Sequence, residues 1–131
     1  MTKLEIEAGN SSPSVRFDPE SGLLEIGGES YPENSKEFYR PLIGWIEEFL
    51  EASSQPVTLR LTVTYMNTSS TKYMIDILDR LEAAHDEGHA VAVEWHCDAE
   101  NGRALDTIEE LKEDFEMPFE VISEWREPDE W

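Results

Sequence analysis

The sequence predicts an α/β domain in which a mixed β-sheet carries its helices on one face. Residues 57–65 and 90–97 alternate apolar and polar side chains, which is typical of strands with one buried face. Three other segments repeat apolar residues every three or four positions, the period of a helix packed against a sheet. The order is an N-terminal β meander followed by α-β-α-β-α-β, and such β-α-β units favour parallel strands beside the meander.

Three short strands are predicted in the first thirty residues. They cover residues 4–7, 15–17 and 23–26, which are short apolar or alternating runs. Runs of Gly, Ser, Asn, Asp and Pro separate them and indicate turns. A glycine pair directly after the third strand is expected to stop it.

The first helix is predicted to begin near residue 35, where Asn34 and Glu37 have the spacing of a capping box. Pro41 falls inside the helical pattern, and proline is tolerated in a first turn. We therefore expect one helix with an irregular first turn. Its apolar stripe, which should face the sheet, consists of Phe38, Leu42, Ile46, Phe49 and Leu50.

The second helix is predicted from about Ser70 to Glu87, after the longest alternating segment. Gly88 is its expected C-terminal stop, because glycine readily adopts the backbone conformation that ends many helices. The inner face of this helix consists of Met74, Ile77, Leu78, Leu81 and His85. The inner face of the following strand consists of Val91, Val93, Trp95 and Cys97.

The third helix is predicted from about Arg103 to Phe115, and the last strand covers residues 119–122. Trp45 lies beside Ile46 of the first helix and Trp95 lies on the apolar face of its strand, so both indoles are expected in the core. The inner face of the third helix consists of Ala104, Leu105, Ile108, Leu111 and Phe115.

Acidic residues dominate the composition: 30 Asp and Glu against 10 Lys and Arg give a formal charge of −20. Such a charge repels nucleic acid and anionic membrane surfaces, and favours a basic protein partner. Residues 1–123 are predicted to form one domain and residues 124–131 an acidic tail. With a single cysteine, Cys97, a charged start and no apolar run of about 18 residues, the chain is expected in the cytoplasm.

The candidate metal ligands are His85, His89, His96 and Cys97, but their spacing argues against a site. Gly88 should end the second helix before His89, and neighbours such as His96 and Cys97 point to opposite faces of a strand. The sequence contains no nucleophile elbow, no catalytic Cys/His signature and no phosphate-binding glycine loop. We therefore predict no metal, no cofactor and no enzymatic activity. A small hydrolase or metal enzyme is a further alternative, which requires His85, His89 and His96 to converge in one cleft.

Four consecutive hydroxyl residues, Thr68, Ser69, Ser70 and Thr71, follow Asn67 between the longest strand and the second helix. At such a junction we expect an Asx turn at Asn67 with a hydroxyl as the helix cap. The amides at a helix start also favour an anion, so a phosphate on one of the hydroxyls would act as a switch. The pattern itself does not decide between cap and switch, or among the four hydroxyls.

Residues 28–35 are Gly-Glu-Ser-Tyr-Pro-Glu-Asn-Ser, and residues 65–72 are Tyr-Met-Asn-Thr-Ser-Ser-Thr-Lys. Together with the helix through residues 76–82, these segments resemble the SiaC family of bacterial regulatory phosphoproteins. The resemblance spans nearly the whole chain except the tail. It implies a STAS-like fold, related to that of the anti-anti-sigma factors, in which a dedicated kinase phosphorylates the turn between strand and helix.

The resemblance also implies which residue is modified and what the modification does. A cognate Ser/Thr kinase would phosphorylate Thr68, a PP2C-like phosphatase would remove the phosphate, and Asn67, Ser69 and Ser70 would shape the turn. Only the unmodified form would bind its target, which in SiaC-like systems is a diguanylate cyclase activated by the binding, so that the output is cyclic di-GMP. An anti-anti-sigma-type regulator and a constitutive protein-binding module without phosphorylation remain alternatives.

The predicted docking surface comprises the turn, the exposed side of the second helix and the loop before the first helix. Tyr73 lies close to the turn, where it would be either an exposed aromatic anchor for a partner or a residue of the core. Besides the turn, this surface consists of Tyr31, Pro32, Glu33, Asn34, Thr71, Lys72 and Tyr73.

Overall fold

The computed structural model describes residues 1–123 of the 131-residue chain. Its strands and helices follow the predicted order: β1 Leu4–Ile6, β2 Ser14–Asp18, β3 Leu23–Ser30, α1 Ser35–Ala52, β4 Val57–Met66, α2 Thr68–Asp86, β5 Val91–His96, α3 Gly102–Lys112 and β6 Phe119–Ile122. The predicted acidic tail, residues 124–131, lies outside the described residues. Within the described part, no helix is long and apolar enough to cross a membrane.

All six strands form one sheet in the order β1-β2-β3-β4-β5-β6. The first three strands pair antiparallel, whereas β3 to β6 pair in parallel. Each parallel connection passes through a helix and moves one strand further in the same direction, so right-handed crossovers put the three helices on one face. The predicted α/β class, with a mixed sheet and an N-terminal meander, is confirmed.

The core lies between the helices and one face of the sheet. In β4 the residues from Val57 to Thr64 alternate between buried and half-buried positions, as the sequence pattern predicts. Trp95 is 1% exposed and belongs to this core. Trp45 lies at the edge of the core rather than inside it: its ring stacks on Phe49, and its Nε1 donates a hydrogen bond to the carbonyl of Thr2 at 2.8 Å.

The third strand extends further than the sequence predicts. The glycine pair does not stop it, and β3 continues to Ser30. Gly28 has a φ of 103°, and the register with β4 shifts between Gly28 and Glu29. A bulge of this kind inserts one residue and lets strand pairing resume beyond it. The extension brings Ser30 beside the end of β4.

Two helix boundaries also differ from the prediction. α2 begins at Thr68 rather than at Ser70, because the capping residue is the preceding asparagine. α3 ends at Lys112 rather than at Phe115. The chain turns after Lys112, and the half-buried ring of Phe115 then stacks on Phe119 with centres 6.3 Å apart. Gly88, with a φ of 98°, follows the C-terminal end of α2 as predicted.

The start of α1 confirms the predicted capping box. Oδ1 of Asn34 accepts a hydrogen bond from the amide of Glu37 at 3.1 Å, and Nδ2 of Asn34 donates to Oε2 of Glu37 at 3.2 Å. The helix is continuous, but Pro41 lies in its second turn rather than its first. Pro41 is exposed, so water can bond to the carbonyl of Glu37 that lacks a donor there.

Candidate functional site

The junction between β4 and α2 lies at the C-terminal edge of the parallel strands, where binding sites of α/β folds commonly lie. Asn67 caps α2, since its Oδ1 accepts a hydrogen bond from the amide of Ser70 at 2.9 Å. The amide of Asn67 donates to the carbonyl of Ser30, the last residue of β3, at 3.0 Å. The predicted hydroxyl cap is therefore wrong, because the side chain of Asn67 already provides the oxygen that the helix start needs.

The four hydroxyl residues of the junction have different surroundings. Thr68 and Ser69 are exposed, Ser70 is fully buried and Thr71 is half-buried. The hydroxyl of Thr71 donates to the carbonyl of Asn67 at 3.0 Å. Of the four, Thr68 and Ser69 are therefore the hydroxyls that a modifying enzyme can reach without local unfolding.

A chain of three buried hydroxyls lies beneath the start of α2. Oγ of Ser30 lies 2.6 Å from the hydroxyl of Tyr39 and donates to Oγ of Ser70 at 2.8 Å. All three residues are 0% exposed. Burial raises the pKa of Tyr39, and the hydrogen bonds with the two serines oppose that shift only in part, so the phenol keeps its proton. This chain ties the start of α2 to β3 and α1.

Sequence reasoning did not identify Ser30 and Tyr39 as part of the site. They lie far from Ser70 along the chain, and a serine or tyrosine carries no sequence signal for a pairing of that range. Their contact depends on the extension of β3 past its glycine pair, which the sequence pattern does not predict.

The start of α2 is suited to an anion. No acidic residue lies in its first turn, although the chain contains 30 Asp and Glu. The amides of Thr68 and Ser69 have no acceptor within the helix, and the positive end of the helix dipole lies there. Lys72 is exposed one turn beyond Thr68, on the same side of the helix. A phosphate on Thr68 would therefore meet free amides and a nearby cation.

Two tyrosines form an exposed aromatic pair beside the junction. Tyr31 is 41% and Tyr65 53% exposed, and their rings meet edge to face with centres 5.9 Å apart. The alternation in β4 predicts that Tyr65 faces the core, so sequence reasoning did not identify it. The register shift at Gly28 changes this orientation, and the adjacent glycines are the signal that could have indicated it.

The other predicted docking residues are less exposed or have structural roles. Tyr73 is half-buried rather than exposed, and its ring stacks on that of Tyr39 with centres 5.8 Å apart. Pro32 is half-buried and Glu33 is exposed, while Asn34 caps α1. The fold nevertheless brings the loop before α1 next to the β4–α2 junction, as the predicted surface requires.

One group of potential metal ligands occurs among the described residues, formed by Glu82, His85 and Asp86, whose ligand atoms lie within 4.8 Å of one another. Both carboxylate oxygens of Glu82 already accept hydrogen bonds, from the amides of Glu116 and Met117 at 2.7 and 2.8 Å. Glu82 therefore attaches the connection between α3 and β6 to α2.

The remaining candidate ligands do not join that group. Nε2 of His89 lies 2.7 Å from the carbonyl of Gln55. His96 and Cys97 follow one another at the end of β5, with His96 half-buried and Cys97 buried in the core. The four candidates from the sequence therefore form no shared site in the described part of the chain.

Comparison with known proteins identifies a family. The model of the SiaC family regulatory phosphoproteins matches residues 6–124. A relative of unassigned function from Pseudomonas aeruginosa strain UCBPP-PA14 is 43% identical over 121 residues, which is 92% of this chain and 96% of the relative.

Solved structures give the same result. The crystal structure of apo-SiaC from Pseudomonas aeruginosa matches with a TM-score of 0.90 and 41% identity, over 94% of this chain and 100% of that one. A chain from the crystal structure of the diguanylate cyclase SiaD in complex with its activator SiaC, also from Pseudomonas aeruginosa, matches with a TM-score of 0.89 and 42% identity. That match covers 92% of this chain and 98% of the other.

Proposed function

The chain belongs to the SiaC family of regulatory phosphoproteins, and from this premise we propose that it is a partner-switching regulator whose unmodified form binds and activates a diguanylate cyclase. The observation that carries the proposal is the similarity to SiaC over nearly the whole chain, together with the solved complex in which SiaC is the activator of SiaD. The output would be the amount of cyclic di-GMP. The chain would act by binding rather than by catalysis.

Phosphorylation of Thr68 is the proposed control. Its side chain is exposed at the first position of α2, whereas Ser70 is held inside the buried hydroxyl chain. Ser69 is the accessible alternative, and the family resemblance favours Thr68 over it. A cognate Ser/Thr kinase would add the phosphate and a PP2C-like phosphatase would remove it. Such a switch belongs in the cytoplasm, where the kinase has ATP.

The physical basis of the switch is a difference between the free and the bound protein. In the free protein, the open amides of α2 would stabilise the phosphate by about 0.5–1 kcal/mol, so the fold tolerates it. In a complex, nearly two charges would lose water, at a cost of about 3 kcal/mol or more if no cation of the partner compensates. Since about 1.4 kcal/mol corresponds to a tenfold change in affinity, phosphorylation would weaken binding by more than about 100-fold.

The test is calorimetric titration of the purified chain with the diguanylate cyclase SiaD of Pseudomonas aeruginosa, with cyclase activity measured in parallel. We expect Thr68→Val to bind and activate like the wild type, and Thr68→Glu to lose both. Ser54→Glu is the matched control, because Ser54 is exposed at the opposite edge of the sheet. Equal binding by the Val and Glu variants would overturn the switch.

Two further results would point to the alternatives. If phosphopeptide mapping of native cells found no modified Thr68 under any growth condition, the chain would be a constitutive binding module. If the wild type failed to bind or activate the cyclase but bound a protein of sigma-factor control, it would be an anti-anti-sigma-type regulator.

A further inference from the structure

A cavity of about 220 Å³ opens between α2 and α3, at the C-terminal ends of β4 and β5. Its walls include the apolar side chains of Val63, Trp95 and Ile108, and the exposed Tyr65 lies at its mouth. The cavity therefore lies directly beside the aromatic pair of the β4–α2 junction.

The cavity exists because α3 packs shallowly on the sheet. Ile108 is the one fully buried residue of this helix, and Ala104 and Leu105 are half-buried. Ala104 faces the cavity with a single methyl group. A larger residue at that position would fill the space, so the side chain of Ala104 keeps it open.

The size of the cavity restricts what can occupy it. Pockets for drug-sized ligands and cofactors measure about 300–1,000 Å³, and a cavity of about 150 Å³ is sufficient for benzene. A space of about 220 Å³ therefore fits one large apolar side chain better than a cofactor.

The charges around the cavity differ from those of the rest of the chain. Arg103 is the one charged residue in its lining. A shallow depression adjoins it, shares Met66 and Thr71 with it, and contains Thr68 and Lys72. Neither lining includes an acidic residue, although the chain has 30 Asp and Glu. The local surface is therefore apolar and cationic, which is complementary to an apolar group flanked by carboxylates.

We infer that this cavity receives one large apolar side chain of the partner protein, flanked by carboxylates that face Lys72 and Arg103. The inference rests on the proposed function and specifies how the partner is held. A buried anchor in a pocket, surrounded by contacts that exclude water, is the usual arrangement of a binding hot spot, and Tyr31 and Tyr65 could provide such contacts. It also explains the position of the switch, because a phosphate on Thr68 would pair with Lys72 and repel the carboxylates of the partner.

The test fills the cavity without adding charge. Ala104→Leu should remain folded, because the added atoms occupy existing space, and should bind SiaD at least about 30-fold more weakly, the loss typical of a removed hot spot. Ala83→Leu is the matched control, since Ala83 is an exposed alanine at the other end of α2. Circular dichroism and thermal melting report the fold of each variant. If Ala104→Leu does not fold, SiaD binding is measured with the smaller Ala104→Val, for which a smaller loss of affinity is expected.

The outcomes separate the inference from the proposed function. Failure of the wild type to bind SiaD would overturn the proposed function itself. Wild-type binding, loss with Thr68→Glu and unchanged binding by folded Ala104→Leu would overturn the cavity as the anchor site and leave the switch intact. A folded Ala104→Leu that binds SiaD normally but has lost a small molecule seen by native mass spectrometry, or a self-association seen by light scattering, would assign the cavity to that other occupant.

Discussion

The starts of α1 and α2 share one capping geometry and differ in charge. Asn34 and Asn67 each cap a helix, and each accepts a hydrogen bond from the amide three residues later, at 3.1 and 2.9 Å. In α1 that third residue is Glu37, whose carboxylate lies near the positive end of the helix dipole. In α2 it is Ser70, whose hydroxyl turns into the core and bonds to Ser30.

Because of this difference, the start of α2 is capped and yet keeps amides that an added phosphate can bind. Glu37 compensates the helix dipole of α1 permanently, so little would be gained from another anion there. The start of α2 has no such carboxylate, and its accessible amides can interact with an anion that is added later. A phosphate on Thr68 would supply to α2 the charge that Glu37 supplies to α1. Capping and control would then use the same group of amides.

The largest effect on stability should come from Ser70→Glu, which gives α2 the residue that α1 has three positions after its cap. Glu37→Ser is the reverse change in α1. Ser70→Glu would place a carboxylate at a position that is 0% exposed, and we expect a loss of more than about 3 kcal/mol in the free energy of unfolding. Glu37→Ser removes an exposed carboxylate and should cost only about 0.5 kcal/mol. Urea denaturation followed by circular dichroism measures both. Similar losses for the two variants would show that the inward orientation of Ser70 has little energetic importance.

Removing the caps should have an intermediate effect. Asn67→Ala and Asn34→Ala should each cost about 1 kcal/mol, the usual value of an N-cap side chain. The loss should be greater for Asn67, because α1 keeps the carboxylate of Glu37 and α2 has no acidic residue in its first turn. The same denaturation experiment compares the two variants. A greater loss at Asn34 would contradict the idea that α2 depends more on its cap.

The sequence predicts those parts of the fold whose cause is local. Alternation identifies β4 and β5, and helical periodicity identifies the three helices, because burial of one face imposes its period on the sequence. The capping box at Asn34 and the stop at Gly88 were also predicted, since each depends on residues within one turn of the helix.

The parts of the site that were missed depend on contacts between distant segments. The outward position of Tyr65 results from the register shift at Gly28 of the neighbouring strand. Ser70 lies on the inner stripe of α2, four residues before Met74, but its partner there is Ser30, 40 residues earlier, and nothing local indicates that pairing. The cavity exists because Ala104 packs loosely, although its place in the helical pattern predicts an ordinary core contact. Periodicity gives the face on which a residue lies, but not how completely that face is filled.

Phosphorylation itself should change the stability of the free protein less than Ser70→Glu or the loss of a cap. A phosphate on Thr68 should stabilise the free protein by about 0.5–1 kcal/mol through the amides of α2. For a chain of this size, that change raises the melting temperature by roughly 2–5 °C, as measured by differential scanning calorimetry of the phosphorylated and unmodified forms. The increase should diminish at high salt, because the site is exposed and its interactions are screened.

A variant of Lys72 tests the phosphate site more specifically, because Lys72 lies four residues after Thr68 and can pair with the phosphate. Lys72→Gln should reduce the stabilisation of the phosphorylated form by about 0.2–0.5 kcal/mol and leave the unmodified form nearly unchanged. Lys3→Gln is the matched control, since Lys3 is exposed just before β1, at the end of the sheet opposite the phosphate. A phosphate that destabilised the fold, or an equal effect of Lys72→Gln on both forms, would mean that the start of α2 does not hold the anion. The absence of acidic residues from the first turn of α2 would then matter only for binding of the partner, and the phosphate would not do for α2 what Glu37 does for α1.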